Sequence, residues 1–147
     1  MNLHVPEGMN VLTEAECMNL LQSVQVGRLA VSIANVPDIF PVNFVMDWGN
    51  IVFRTAEGTK LAGAVLGKAV AFEVDGYEPA AGEAWSVVVK GQAVEIEKMY
   101  ELFDAQDLPL FPWHAGHKHR FVRIEPTETT GRRFTIDPAV PWDQRER

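Results

Sequence analysis

The sequence predicts a mainly β domain in which six or seven strands close into a small barrel. Three observations carry that expectation. The chain offers six or seven strand-like runs, only three short helical segments, and a glycine, Gly91, inside the longest β-branched run. So many strands exceed what one small open sheet needs, and closure removes exposed edges. A glycine within a long strand lets the sheet turn the corner that closure demands.

The elements follow in order. Thr13-Glu-Ala-Glu16 has an N-cap hydroxyl and an acidic first turn, so a helix runs from there to about Val24. Ala15, Met18, Leu21 and Val24 share one face, and Cys17 lies within this helix as a small packing residue rather than a nucleophile. Arg28 to Ala34, Ile39 to Asp47 and Asn50 to Thr55 form an antiparallel meander, with turns at Asn35–Asp38 and Asp47–Asn50. Pro41 places the second of these strands at an edge or a bulge. A short helix spans Leu61 to Leu66, then come a strand from Ala69 to Asp75 and a loop from Gly76 to Gly82. Ala84 to Ile96 is a long strand bent at Gly91, and Lys98 to Ala105 a helix. Arg120 to Glu125 and Arg132 to Ile136 are two closing strands, followed by a proline-broken, charged tail.

The 147 residues suit one domain, with a core over about 12–136 and a tail at 137–147. Hydrophobic residues make up 47% and charged residues 22%, a globular composition. A net charge of −7 argues against a nucleic-acid partner, which needs a dense basic surface. The one cysteine excludes an intrachain disulfide and points to a reducing compartment. No basic-then-apolar leader and no membrane-length apolar run is present, so a cytoplasmic protein without a membrane partner is expected.

The densest concentration of chemistry is Ile51–Leu61. A strand ends in Arg54 and Thr55, and Gly58, Thr59 and Lys60 lead into a helix. Free backbone N–H groups at a helix start, with hydroxyls and cations beside them, suit a phosphate. An ordinary strand–turn–helix capped by Thr59 has the same composition. Trp85 and Ser86 open the long strand, where they serve either a ring-binding pocket or a barrel-mouth core. Trp113 sits in a proline-punctuated aromatic loop, a pocket wall or a hydrophobic plug. Thr130-Gly-Arg-Arg133 sets two cations side by side, with surface placement the commoner reading. His114, His117 and His119 lie on a predicted loop without cysteine partners or helical spacing, which favours a solvated or pocket-edge cluster over a metal site.

Taken together, Val26-Gly-Arg-Leu-Ala-Val-Ser32, Pro41-Val-Asn-Phe44, Phe53-Arg-Thr-Ala-Glu-Gly-Thr-Lys60 and Phe72-Glu-Val-Asp75 resemble the pyridoxamine 5′-phosphate oxidase-like superfamily. Trp85-Ser-Val, Gly91-Gln-Ala93 and Thr130-Gly-Arg-Arg133 extend the resemblance from about Leu12 to Phe134. The branch is similar to small bacterial proteins that include nitroimidazole-resistance reductases. The resemblance implies a six-stranded, Greek-key split β-barrel of the FMN-binding type, in a homodimer with flavin at the subunit interface. It implies that Thr55, Thr59 and Lys60 hold the flavin phosphate, with Arg54 and Phe53 beside them. Pro41, Val42 and Asn43 would run along the isoalloxazine ring. Trp85, Ser86 and Gln92 would lie near the ribityl chain or ring, partly from the second subunit, and Trp113 would close the pocket. The Arg-x-His-Asp-Arg-like run that ends the true oxidases is absent, which argues against vitamin B6 oxidation. The expected function is FMN-dependent oxidoreduction of a small organic molecule. A deazaflavin-dependent reductase and a non-catalytic flavin or haem binder are the alternatives.

Overall fold

The computed structural model describes residues 8–55, 60–96 and 120–136. Its strands are β1 (Met9–Val11), β2 (Val26–Ile33), β3 (Val36–Asn43), β4 (Val45–Asp47), β5 (Asn50–Thr55), β6 (Ala69–Glu78), β7 (Glu83–Glu95) and β8 (Arg120–Thr135). Two helices, α1 (Glu14–Gln22) and α2 (Lys60–Val65), complete the described elements. The sheet order is β3-β2-β6-β7-β8-β5-β4, with β1 paired to β8, and every pairing is antiparallel.

That order contains the reason for closure. β3 and β4 occupy opposite edges of the sheet, yet only Phe44 separates them in sequence. The sheet therefore curls until its edges meet, and the meeting point is a split rather than a ladder. Counting β3 and β4 as one interrupted strand gives the expected six-stranded split barrel, with β1 added outside it. The predicted strand from Ile39 to Asp47 thus breaks at Phe44. The β2 register ends at Val26↔Asn43, so the chain runs out of partner there, and the Phe44 N–H donates to the Gln25 carbonyl at 3.1 Å.

Inside, Phe44 meets Phe72 edge-on, with ring centroids 4.7 Å apart at 71°. Phe72 in turn lies against Gly27, where any Cβ would collide with its ring. Around them Leu29, Ile51, Phe53, Val74, Val87, Val122 and Ile124 are fully buried. Alternate residues of each strand supply this core, so their neighbours face outward. α1 packs across β8 because Gly131 leaves room: a Cβ there would stand 2.5 Å from the Cys17 sulfur. Cys17 is buried and its thiol is raised above the ordinary value, mainly by that burial, which fits a packing residue. The α1 start carries the full capping box between Thr13 and Glu16, and the helix stops at Gln22, where the Ser23 hydroxyl donates to the Leu20 carbonyl at 2.7 Å.

Other boundaries move for local reasons. The turn after β2 is only Ala34–Asn35, both at positive φ, so Val36–Asp38 already belong to β3. β6 continues through Gly76 to Glu78, because Gly76 serves packing rather than a turn; a Cβ there would lie 2.5 Å from the Trp85 indole. The two predicted closing strands are one, β8. The register shifts at Lys90/Gly91, and Pro126, facing Gly91, starts the irregularity on β8. Thr127 is the extra residue, and its hydroxyl donates to the Lys90 carbonyl at 3.1 Å. β3 is an edge, as Pro41 requires, and the Ile39 N–H on it is taken by the Asp38 carboxylate at 2.9 Å. β1 has no counterpart in the sequence reading, and the predicted Lys98–Ala105 helix lies outside the described residues. No helix among the described residues is long and apolar enough to cross a membrane.

A Cβ at Gly91 would run into the Glu125 carbonyl oxygen of the neighbouring strand. Gly91→Ala should therefore cost about 1–3 kcal/mol, read as a lower urea midpoint with unchanged slope.

Candidate functional site

The candidate site gathers where the edges meet. β3 delivers Pro41, Val42 and Asn43 to the split, β5 delivers Phe53, Arg54 and Thr55, and the two strands approach each other there. Strand alternation then sorts the side chains. Val42 and Phe53 point into the core with Thr55, whereas Arg54 leaves on the outer face. There its guanidinium lies 5.9 Å from the centre of the Phe121 ring, beside a second small cluster of Val52, Ile96 and Phe121. Arg54 and Thr55, neighbours in sequence, thus place their side chains on opposite faces of β5. Lys60 is the first residue of α2. Thr59, Trp113, His114, His117 and His119 lie outside the described residues.

Two oxygens at this junction stand out physically. Thr55 is the one polar residue buried among the described residues, at 2% exposure, and its Oγ1 has no hydrogen-bond partner there. Asn43 Oδ1 is likewise buried and unpartnered. Each such atom costs roughly 1–3 kcal/mol relative to a satisfied one. Asn43 also lines a cavity of about 340 Å³ between the end of α1 and the β3–β4 junction.

The remaining predicted residues sit elsewhere on the barrel. Trp85 is a core residue at 5% exposure, packed on Gly76, and so belongs to the barrel interior. Ser86, next to it, faces outward opposite Asp75. Gln92 is exposed beside a shallow outer groove of about 360 Å³ between β2, β6 and β7. Of the two adjacent cations, Arg133 pairs with Glu83 at 3.1 Å, while Arg132 is exposed.

An ionic cluster escaped the sequence reading. Arg28 reaches Glu73 at 3.2 Å and Asp75 at 3.1 Å on the outer face. It lies between two predicted residues, since Pro41 pairs with Arg28, Arg28 with Glu73, and Asp75 with Ser86. The signal was present: Glu73 and Asp75 are two apart on one strand and must share a face. Their cation could be found only from the β2–β6 register. Burial first, then hydrogen bonding and charge from Asp75, raise the Glu73 carboxyl to about 7, against the opposing pull of Arg28.

The split barrel and these strand motifs are those of a known family. The family model for pyridoxamine 5′-phosphate oxidase matches residues 13–133. The chain belongs to the pyridoxamine 5′-phosphate oxidase family. An uncharacterized family relative from Mycobacterium tuberculosis is 36% identical over 135 residues, covering 88% of each chain. Among solved structures, the FAD binding protein from Mycobacterium smegmatis is 40% identical with a TM-score of 0.76, covering 86% of this chain and 100% of that one. A pyridoxamine 5′-phosphate oxidase-like protein from Corynebacterium glutamicum is 42% identical with a TM-score of 0.78, covering 91% and 99%.

The Glu73 carboxyl gives this family member a pH signature. Its value is higher in the folded chain than the ordinary 4.5, so the folded state holds the proton more tightly than the unfolded one. That contribution is complete below about 4.5 and is lost as the pH rises through about 7. Urea unfolding between pH 5 and 8 should show wild-type stability falling with pH over this window, and Glu73→Gln should flatten the fall.

Proposed function

We propose that this chain binds a flavin nucleotide at the split and acts, as a homodimer, in oxidoreduction of a small organic molecule. The observation that carries the reading is Thr55 Oγ1, a buried hydroxyl without a partner at the end of the strand that leads to Lys60. A phosphate oxygen accepts from such a hydroxyl, and an ammonium group at position 60 balances the phosphate charge. The relative from Mycobacterium smegmatis, 40% identical, is an FAD binding protein, which supports a flavin here. FMN and FAD share the ring, the ribityl chain and the first phosphate, so the same residues serve either. FMN is the smallest ligand that satisfies them.

When bound, the flavin supplies the electron-transfer chemistry, and the chain supplies position and surroundings. The backbone of Pro41–Asn43 borders the ring, Phe53 excludes water from beneath it, and Thr55 and Lys60 fix the phosphate. The faces on which the candidate site residues lie support a homodimer. Pro41, Ser86 and Gln92 face outward on the sheet, whereas Thr55 faces inward at the end of β5. A second copy laid on the outer face lets one protomer complete the other's cofactor site.

The visible spectrum of the purified protein and its titration with FMN, FAD and a deazaflavin test the reading. Saturable binding of FMN or FAD is expected, with one flavin per protomer of a dimer by light scattering. Binding of the deazaflavin alone would overturn the flavin assignment. Thr55→Val keeps the shape and removes the hydroxyl. It should weaken flavin binding by about 1.5–3 kcal/mol, roughly one to two decades, while leaving thermal stability equal or higher. Lys60→Ala should weaken flavin binding to a similar degree.

A further inference from the structure

We infer that the outer face of β2, β6, β7 and β8 is a self-complementary docking surface for a second copy of the chain, on which Arg132 of each protomer meets the partner's Asp75. This pairing gives the homodimer proposed above its contact, and so rests on that reading. It starts from a cluster that is one cation short. Arg28 alone faces two carboxylates, Glu73 at 3.2 Å and Asp75 at 3.1 Å. Within the protomer the shortfall shows at Glu73. Burial first, then Asp75, raise its carboxyl to about 7 in spite of Arg28. The next cation on this face, Lys90 of β7, is directed at Glu128, 4.0 Å away. Arg132 is exposed and has no ion-pair partner among the described residues.

The sheet register supplies the complement. Asp75, Ser86 and Arg132 are successive partners across β6, β7 and β8, so their side chains leave on one face. Neighbouring strands lie about 4.8 Å apart, which sets Asp75 and Arg132 on either side of Ser86 at equal distances. A two-fold axis lying in the face, along β7 at Ser86, turns a second copy over and exchanges the two sides. Arg132 of each protomer then stands opposite the partner's Asp75, and the contact occurs twice, as a closed two-fold interface requires. Each cluster thereby has two cations for its two carboxylates. The surrounding face suits close contact. Ala30, Ala71, Ala84 and Val88 hold outward positions that a solvent-facing antiparallel sheet gives to polar residues. Tyr77, outward opposite Ala84, is 64% exposed. Side chains this small let two sheets approach to about 10 Å, a gap that an arginine and an aspartate bridge together.

Exchanging the charges tests the pairing, with light scattering and sedimentation of the full-length protein as the readout. Arg132→Glu and Asp75→Arg each set like charges against each other at both contacts. Each should raise the dimer dissociation constant by about a hundredfold. Mixed in equal amounts, the two variants should form a heterodimer of near wild-type affinity, because every contact then joins opposite charges again. Arg132→Glu alters only an exposed side chain, and its result stands alone if Asp75→Arg does not fold. A wild-type dimer that Arg132→Glu leaves intact would overturn the pairing and keep the homodimer reading, on another face. Folded variants that stay monomeric when mixed would overturn the pairing in the same way. A wild type that is monomeric at every concentration would overturn both. Flavin titration of the same samples is read separately. A wild-type dimer that binds no flavin would remove the flavin reading and leave this surface intact.

Discussion

One constraint organises the molecule: the two edge strands of the sheet are consecutive in the chain. A single residue, Phe44, must carry the backbone from one edge to the other. Geometry then leaves only a curled sheet. What holds the curl is the edge-on contact of Phe44 with Phe72, which in turn lies against the bare backbone of Gly27. A larger residue at 27 would lift Phe72, displace Phe44 and unseat the junction. The core, the split and the cavity beside it all depend on that column of two rings and a glycine.

The same constraint decides where chemistry is possible. Along the ladders, backbone donors and acceptors are consumed and side chains alternate between core and outside. At the split the ladder lapses, and polar atoms are left without partners. Thr55 Oγ1 and Asn43 Oδ1 both stand there, on β5 and β3. Buried polar atoms of this kind are costly to stability. The outer face has a different character, with Arg28 bridging two carboxylates and Gln92 beside a shallow groove.

Much of the fold was legible because burial writes a period into the sequence. The β7 run, the capping box at Thr13 and the bend at Gly91 are local signals and kept their places. Residues that did two jobs misled. Gly76 looks like a turn but makes room for the Trp85 ring, and Pro126 looks like a strand terminator but sits where a bulge needs no ladder donor. For the candidate site, sequence names positions and not the directions of their side chains. Sequence spacing brought Arg54 and Thr55 together, whereas strand alternation sends them to opposite faces. The Arg28 cluster required the β2–β6 register, which no local pattern encodes.

The open edge of β3 has a further property. The Ile39 N–H turns away from β2 to the Asp38 carboxylate, so residues 37, 39, 41 and 43 present their backbone nitrogens to the open side. Two of these, Pro37 and Pro41, have no N–H to give, and Ile39 has spent its own. A stray strand approaching this edge finds carbonyls but no donor between 37 and 41, and cannot zip onto it. The first nitrogen that can donate is that of Asn43, at the split. Over residues 37–41 this edge is thereby proofed against the strand-on-strand addition that seeds aggregation, by two prolines and one carboxylate.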